Sequence, residues 1–419
     1  MIHHQFTATA RLVTIALIIL PLPAISQETC GAAVTACRDG LFVTQDIIIA
    51  DDACAAAVTA DANDGCARIF RAATRVLRVF VEDTNGSAPL VFTDSIKEMF
   101  EQFGISSFER DLYDLSFSPI LPRNFDGKID FPADSPDGSD IQDALDLLIV
   151  TALEDSAADL QAVSEATVIR LTANELQSIS GAIGSTSIEI DYGDSKVLEF
   201  MILLWKSQLL FLIALDLDVD IDSYTPRTTG ILIQDDVIDA NPDLARLRSG
   251  ASSALADANQ ANRDAVGAYF AASNFIRSEV DDQTDDLLTI EPDQLQDEAE
   301  IRIQLAALAG SLDTPTSILN TGTTLFDEAN IISALNTKLG TNFDNQGAVL
   351  DLGLFYDRAP FDVRDVLPTF DAGNAIDDGS FPDPTFGSVL VPEPGLLASQ
   401  VASLATLLLI LRLRSRREF

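Results

Sequence analysis

Asp194-Ser195-Lys196-Val197-Leu198-Glu199-Phe200-Met201-Ile202-Leu203-Leu204-Trp205-Lys206-Ser207-Gln208-Leu209-Leu210-Phe211-Leu212-Ile213-Ala214-Leu215 is the most apolar stretch in the body of the chain and holds its single tryptophan. It contains strong helix formers and neither Gly nor Pro, so it reads as one helix. Apolar residues lie on nearly every side, so the helix must be covered on most sides. Glu199 and Lys206 interrupt it, which fits a buried central helix better than a membrane span. The expected fold is mainly α: packed helical hairpins, loosely like tetratricopeptide stacks, around this helix.

The flanking segments agree. Asp64–Val81 places Ile69, Phe70, Ala73, Val76, Leu77 and Phe80 at three- and four-residue steps, with Arg68, Arg71, Arg75 and Arg78 on the other face. That arginine stripe could meet an acidic polysaccharide, but the chain's own acidic surface is the better partner. Asp94 reads as the N-cap of a short helix through Phe103, closed by Gly104. Residues 118–138 read as a loop, and Ser139 opens a helix to about Val163. Residues 166–192 alternate or are β-branched, around Gly181 and Gly184, and predict a small two-stranded pairing. Long helices are expected at Ser252–Ser278 and at Pro292–Ala309, the second stopping at Gly310. The resulting division is an N-terminal helical region 27–165 with a cysteine cluster, a central helical region 166–340 with the β element, and an irregular wrapping segment 341–390.

Charge and composition narrow the function. The chain has 419 residues, with 26 Lys and Arg against 65 Asp and Glu. Between residues 27 and 394 the balance is 21 basic to 64 acidic residues, which excludes a phosphate-backbone binder and hence a nucleic-acid partner. The two histidines, His3 and His4, precede an N-terminal apolar run. A mature chain without them holds no Ser-His-Asp triad, Cys-His dyad or His-ligated metal.

Several carboxylate runs bear on binding. In Leu215-Asp216-Leu217-Asp218-Val219-Asp220-Ile221-Asp222, an extended backbone would put Asp216, Asp218, Asp220 and Asp222 on one face. Such a set has Ca2+ chemistry, although Ile221 and Arg227 stand where an EF-hand needs Gly and Glu. The same run also reads, and reads better, as a solvated exit from a buried helix. Asn124-Phe125-Asp126-Gly127-Lys128-Ile129-Asp130 matches the middle of an EF-hand loop, but Pro122 and Ala133 replace its terminal carboxylates, leaving a tight Asp-Gly turn. Glu279, Asp281, Asp282, Asp285 and Asp286 form an acidic patch at a helix end that could bind an ion weakly and reads better as a solvated linker. A glycoside hydrolase needs only two suitably spaced carboxylates, but one Trp and five Tyr are few for sugar-stacking subsites. No cofactor is expected beyond the Ca2+ option.

Cys30, Cys37, Cys54 and Cys66 form an even set near the mature N-terminus, which predicts two disulfides. Cys54 and Cys66 flank a turn-rich stretch and could face each other across a helical hairpin, leaving Cys30 with Cys37. The nested alternative is Cys30–Cys66 with Cys37–Cys54. A zinc site on all four is the rival, although no Cys-x-x-Cys knuckle is present.

The ends carry addresses. Arg11, the apolar run Leu12–Leu20 and Ala24-Ile25-Ser26 describe a secretory signal peptide, residues 1–26. At the other end Pro392-Glu393-Pro394 is followed by the uncharged run Leu396–Leu411 and then Arg412, Arg414, Arg416 and Arg417. Sixteen helical residues reach ~24 Å, enough to span if the flanking arginines snorkel. This arrangement, residues 391–419, resembles the PEP-CTERM sorting signal processed by exosortases in Gram-negative bacteria that make extracellular polysaccharide; Glu418-Phe419 departs from its usual basic end. The order Asp191-Tyr192-Gly193-Asp194, apolar helix, Asp216–Asp222 is also similar to uncharacterised, mostly helical bacterial exported proteins. The resemblance implies export, tethering in the inner membrane through the C-terminal helix, and exosortase and the secretion machinery as partners. Processing would then deliver the body to the cell surface or matrix, with extracellular polysaccharide nearby. Together these readings lead to a non-enzymatic binding or structural protein, the alternative being a carboxylate-based hydrolase of extracellular polysaccharide.

Overall fold

The computed structural model describes residues 30–80, 95–105, 122–180, 187–224, 240–317 and 349–350, with short gaps at 129, 221, 245, 280–285, 291, 293 and 314–315. The signal-peptide segment, most of 341–390 and the whole sorting tail, with Pro392, Glu393, Pro394, Arg412, Arg414, Arg416 and Arg417, lie outside the described residues.

The protein is mainly helical with a small antiparallel pairing. Helix α1 (Val34–Asp39) runs on into a π-helical turn, Gly40–Thr44. Helix α2 (Ile47–Ala60) starts where the Asp46 carboxylate accepts from the Ile48 and Ile49 N–H groups. After a four-residue turn, Asp64 caps α3 (Gly65–Arg78) by accepting from the Ala67 N–H. Helix α4 (Ile96–Gln102) is capped by Ser95, one residue later than the predicted Asp94, because the Ser95 hydroxyl accepts from the Glu98 N–H. Helix α5 (Gly138–Ala144) passes through a π-helical stretch, Leu145–Val150, into α6 (Thr151–Gln161) without a break.

Strands β1 (Ile169–Leu171) and β2 (Ile188–Ile190) pair antiparallel, Ile169 opposite Ile190, as the β-branched pattern predicted. Between them lies a helix that pattern missed, α7 (Ala173–Ser180). Helix α8 (Tyr192–Ala214) is the central apolar helix, opened by a reciprocal capping box between Asp191 and Asp194. Then come α9 (Ala251–Ser278) and α10 (Leu295–Asp313). The last helix starts three residues after Pro292 and runs through Gly310, so neither expected punctuation mark operates. A lone glycine inside a helix costs only ~1 kcal/mol, less than tertiary contact supplies. Such contact is at hand directly after Gly310, where Ser311 and Leu312 are buried. Strands β3 (Thr316–Ser317) and β4 (Val349–Leu350) make a second short pairing.

The helices stack serially: α2 on α3, α3 on α6, α6 on α8, α8 on α9 and α9 on α10. Helix α9 runs antiparallel to α8, since Tyr192 meets Phe275, Phe200 meets Tyr269, and Ala214 clusters with Ala251 and Leu255. One hydrophobic cluster extends from Val34 to Ala268 and contains Ile202, Trp205, Leu209 and Ile213 of α8. By length and composition α8 could cross a membrane, but half of its most apolar window is buried inside the protein. Its charges are satisfied there: the buried Lys196 Nζ lies 2.6 Å from Glu199 and donates to the Leu160 carbonyl. Trp205 is buried and stacks on Phe80 with ring centroids 6.5 Å apart. Trp205→Ala should therefore cost ~3–5 kcal/mol in urea unfolding; a loss below ~1 kcal/mol would show that the helix is not central.

Candidate functional site

The acidic run leaves α8 because that helix is stopped by a buried side chain from another helix. Gln142 of α5 is 2% exposed. Its Nε2 faces the carbonyl oxygens of Leu212, Ile213 and Leu215, while its Oε1 accepts from the Leu217 N–H. It thus satisfies the carbonyls that a helix C-terminus leaves open and turns the chain outward. The run then passes over the start of α5 so closely that a Cβ on Gly138 would sit 1.5 Å from the Leu217 carbonyl oxygen, and the Gly138 N–H donates to Val219. On its other side, the Asp216 N–H donates to Arg246 and the Arg248 N–H to Ala214.

The alternation is partial, because Asp216 and Leu217 are both half-buried and Ile221 lies outside the described residues. Leu215 and Val219 are buried, whereas Asp218 and Asp220 are exposed. The four aspartates nevertheless have different partners. Asp216 accepts from the Asp218 N–H, Asp218 from the Ser139 hydroxyl, Asp220 from the Ser223 N–H and Asp222 from the Asp134 N–H. No three His, Cys, Asp or Glu side chains among the described residues are gathered as a metal ion requires, so Asp216, Asp218, Asp220 and Asp222 are placed as a row rather than a cage. Asp222, Asp130, Phe131, Pro132 and Ala133 line an open depression of about 510 Å³.

What gathers here is negative charge. Burial pushes the Asp137 carboxyl above the usual range, and Asp140, Asp220, Asp218 and Asp222 push it the same way. Asp222 is likewise raised, first by a side-chain hydrogen bond with Asp220 and then by burial. The N-terminus of α5 opposes this repulsion with its positive dipole end. Asp134, Asp137, Asp140 and Gln142 escaped the sequence reading. The Asp137–Asp140 capping-box spacing was a visible signal, but nothing in the sequence joins Gln142 to residue 215. Asp220→Asn should raise the melting temperature, because it removes like-charge repulsion, and the gain should disappear in ~1 M NaCl, where the Debye length is ~3 Å. A drop on substitution would mean that the carboxylate is structural.

The Asn124–Asp130 stretch is the tight turn expected: the Asn124 side chain accepts from the Asp126 and Lys128 N–H groups, and Gly127 takes φ 75°. Phe125, at its tip, is fully exposed. Of the linker acids, Asp281, Asp282 and Asp285 lie outside the described residues, while Asp286 is buried rather than solvated.

The arginine stripe is consumed internally. Arg68 and Arg75 each lie 2.9 Å from Asp159 on α6, with Arg71 at 3.8 Å. Arg78 reaches Asp51 at 3.1 Å and Asp52 at 2.6 Å on α2. Asp51 is buried and also accepts from the Thr74 hydroxyl. The polar face of α3 is therefore a strut between α2 and α6. Asp159→Asn should cost ~3 kcal/mol, because it leaves arginines crowded around a neutral amide; urea unfolding at low and high salt would measure it.

The cysteines pair in the nested order, Cys30 with Cys66 and Cys37 with Cys54, their Cα atoms 5.4 and 4.8 Å apart. The pairing across the Asp61–Gly65 turn fails on height. Cys54 sits six residues before the end of α2, roughly 9 Å down the helix at 1.5 Å per residue, while Cys66 is the second residue of α3. Cys54 faces α1 instead. With no free cysteine among the described residues, a four-thiolate zinc site is excluded there. Removing either bond should cost ~2–5 kcal/mol in urea unfolding.

No protein family, curated protein or solved structure matches the chain.

Proposed function

We propose that this chain is an exported, non-enzymatic protein of the cell surface or extracellular matrix, sorted by a PEP-CTERM-type tail and acting through binding or structural presence. The observation that carries the reading is the order at the C-terminus: Pro392-Glu393-Pro394, the uncharged Leu396–Leu411, then Arg412, Arg414, Arg416 and Arg417. Burying Leu396–Leu411 favours insertion, whereas an Arg at a helix centre opposes it by ~2.5–3.5 kcal/mol; here the arginines follow the run and avoid that position. By the positive-inside bias they stay cytoplasmic and leave the body outside.

Two disulfides, with Cys37, Cys54 and Cys66 almost fully buried, support an oxidising compartment. The low aromatic content, one Trp and five Tyr, supports a binding or structural role over the hydrolase alternative, because sugar-stacking subsites are built from such side chains. The acidic body, 21 basic to 64 acidic residues between positions 27 and 394, favours partners with cationic groups or bridging cations over acidic polymers directly.

In this reading an exosortase cuts near the motif after the tail has inserted. Mass spectrometry of surface-exposed protein should then recover no peptide from Leu396–Phe419, and recovery of that peptide would establish a permanent tail anchor instead. Replacing Pro392-Glu393-Pro394 by three alanines should hold the uncut form in the inner membrane. Normal release of that variant would overturn the sorting assignment.

A further inference from the structure

We propose that the seam between α9 and α10 is a carboxylate-binding site: Arg277 and Arg302, held in place by the buried Glu298 and Ser273, receive a small, singly charged acid, with Asn274 beside them. The assignment rests on the binding role proposed above but not on the sorting tail. On α9, Phe270, Ser273, Asn274 and Arg277 follow at three- and four-residue steps and so lie along one face. On α10, Glu298 and Arg302 stand one turn apart and meet that face.

Glu298 is 7% exposed and Ser273 3%. The Ser273 hydroxyl donates to Glu298 Oε1 at 2.6 Å, and Arg277 Nη1 donates to Glu298 Oε2. Arg302 Nη1 donates to the Ser273 Oγ at 2.7 Å and to the Asn274 Oδ1 at 2.8 Å, and its guanidinium lies 5.0 Å from the Phe270 ring centroid. One buried carboxylate therefore fixes two guanidinium groups, one directly and one through a hydroxyl. Side chains fixed in advance give up little rotamer freedom when a ligand arrives.

What this lock leaves over decides the ligand. Its acceptors are engaged: both Glu298 oxygens, the Ser273 Oγ and the Asn274 Oδ1. Its donors are not. Among the described residues, Arg277 and Arg302 each keep Nε and Nη2 without an acceptor, and Asn274 keeps its Nδ2. Arg277 and Asn274 are exposed and Arg302 is half-buried, so these donors face water.

Charge is unbalanced in the same sense. The four arginines of α3 meet four acids, Asp51, Asp52, Asp155 and Asp159, whereas here two arginines meet one glutamate. Burial pushes the neighbouring Tyr269 hydroxyl up to about 12, and the charged groups that act on it are the same three, Glu298, Arg302 and Arg277. Glu300 falls on the other side of α10 and accepts from Gln296. Guanidinium edges match a planar carboxylate through paired N–H···O bonds. The acidic body repels a ligand in proportion to its charge, so a single carboxylate enters where a polyanion is turned away. Asn274 adds a neutral donor for a hydroxyl of the same ligand.

The test uses the full chain in detergent micelles, with sodium glucuronate as the probe, glucose as its neutral counterpart and polygalacturonate as the polyanion. Saturation-transfer NMR should show glucuronate binding at about millimolar concentration and glucose at least about tenfold more weakly. Arg302→Gln should weaken glucuronate by about tenfold or more. Asn274→Asp supplies the missing carboxylate from within the chain, so it should abolish binding while the melting temperature holds or rises. That variant separates loss of the site from loss of the fold. Equal binding of glucuronate and glucose, or undiminished glucuronate binding in Arg302→Gln or Asn274→Asp, overturns the site. Polygalacturonate binding more tightly per carboxylate than glucuronate overturns the small acid as its ligand. The sorting assignment stands or falls separately, on the fate of the tail peptide.

Discussion

A helix with apolar side chains on nearly every side cannot sit on the surface of a protein in water, and α8 imposes that constraint on everything around it. Its coverage comes from α9 along its length, from α6, and from the π-helical stretch between α5 and α6. At ~25 cal/mol per Å² of apolar surface removed from water, such coverage outweighs the local propensity of any one turn. That is why α10 can run through Gly310 and why α5 and α6 continue as one rod through Leu145–Val150. Both ends of α8 then become special places. Its N-terminus is where buried acids collect, and its C-terminus is where Gln142 turns the chain out toward solvent.

Charge is handled by two different means. Cations are scarce, and those on α3 are spent on Asp51, Asp52, Asp155 and Asp159, joining three helices with a face that would otherwise be only solvated. The acids around Asp137, Asp218, Asp220 and Asp222 crowd together, raise the Asp137 carboxyl and are opposed by the positive dipole end of α5. The surplus keeps the surface strongly negative. Such a surface opposes self-association and favours partners carrying positive groups.

The nested disulfides belong to the same economy of short helices. Helices α1, α2 and α3 have 6, 14 and 14 residues, lengths marginal on their own. Cys37–Cys54 ties α1 to α2, and Cys30–Cys66 ties the chain entering α1 to the start of α3. The N-terminal end of the stack is thereby closed covalently as well as by burial.

Periodicity and composition alone determined that the protein is mainly α, that residues 194–215 belong to its central helix, and that residues near 169 and 189 pair as strands; the sorting reading of both ends comes from the sequence and is a proposal. Each of those signals is local: apolar spacing along a helix, β-branched alternation, an uncharged run beside arginines. Only the tertiary structure decided the rest. The cysteine connectivity depended on how far down α2 Cys54 sits relative to Cys66. The meaning of Asp216–Asp222 depended on Gln142, Gly138 and Ser139, more than 70 residues earlier in the chain. Asp286 read as part of a solvated linker, yet a parallel bridge to Glu189 buries it beside Asp194. Residue type and spacing carry no information about such meetings, because they follow from which faces the helices must hide from water.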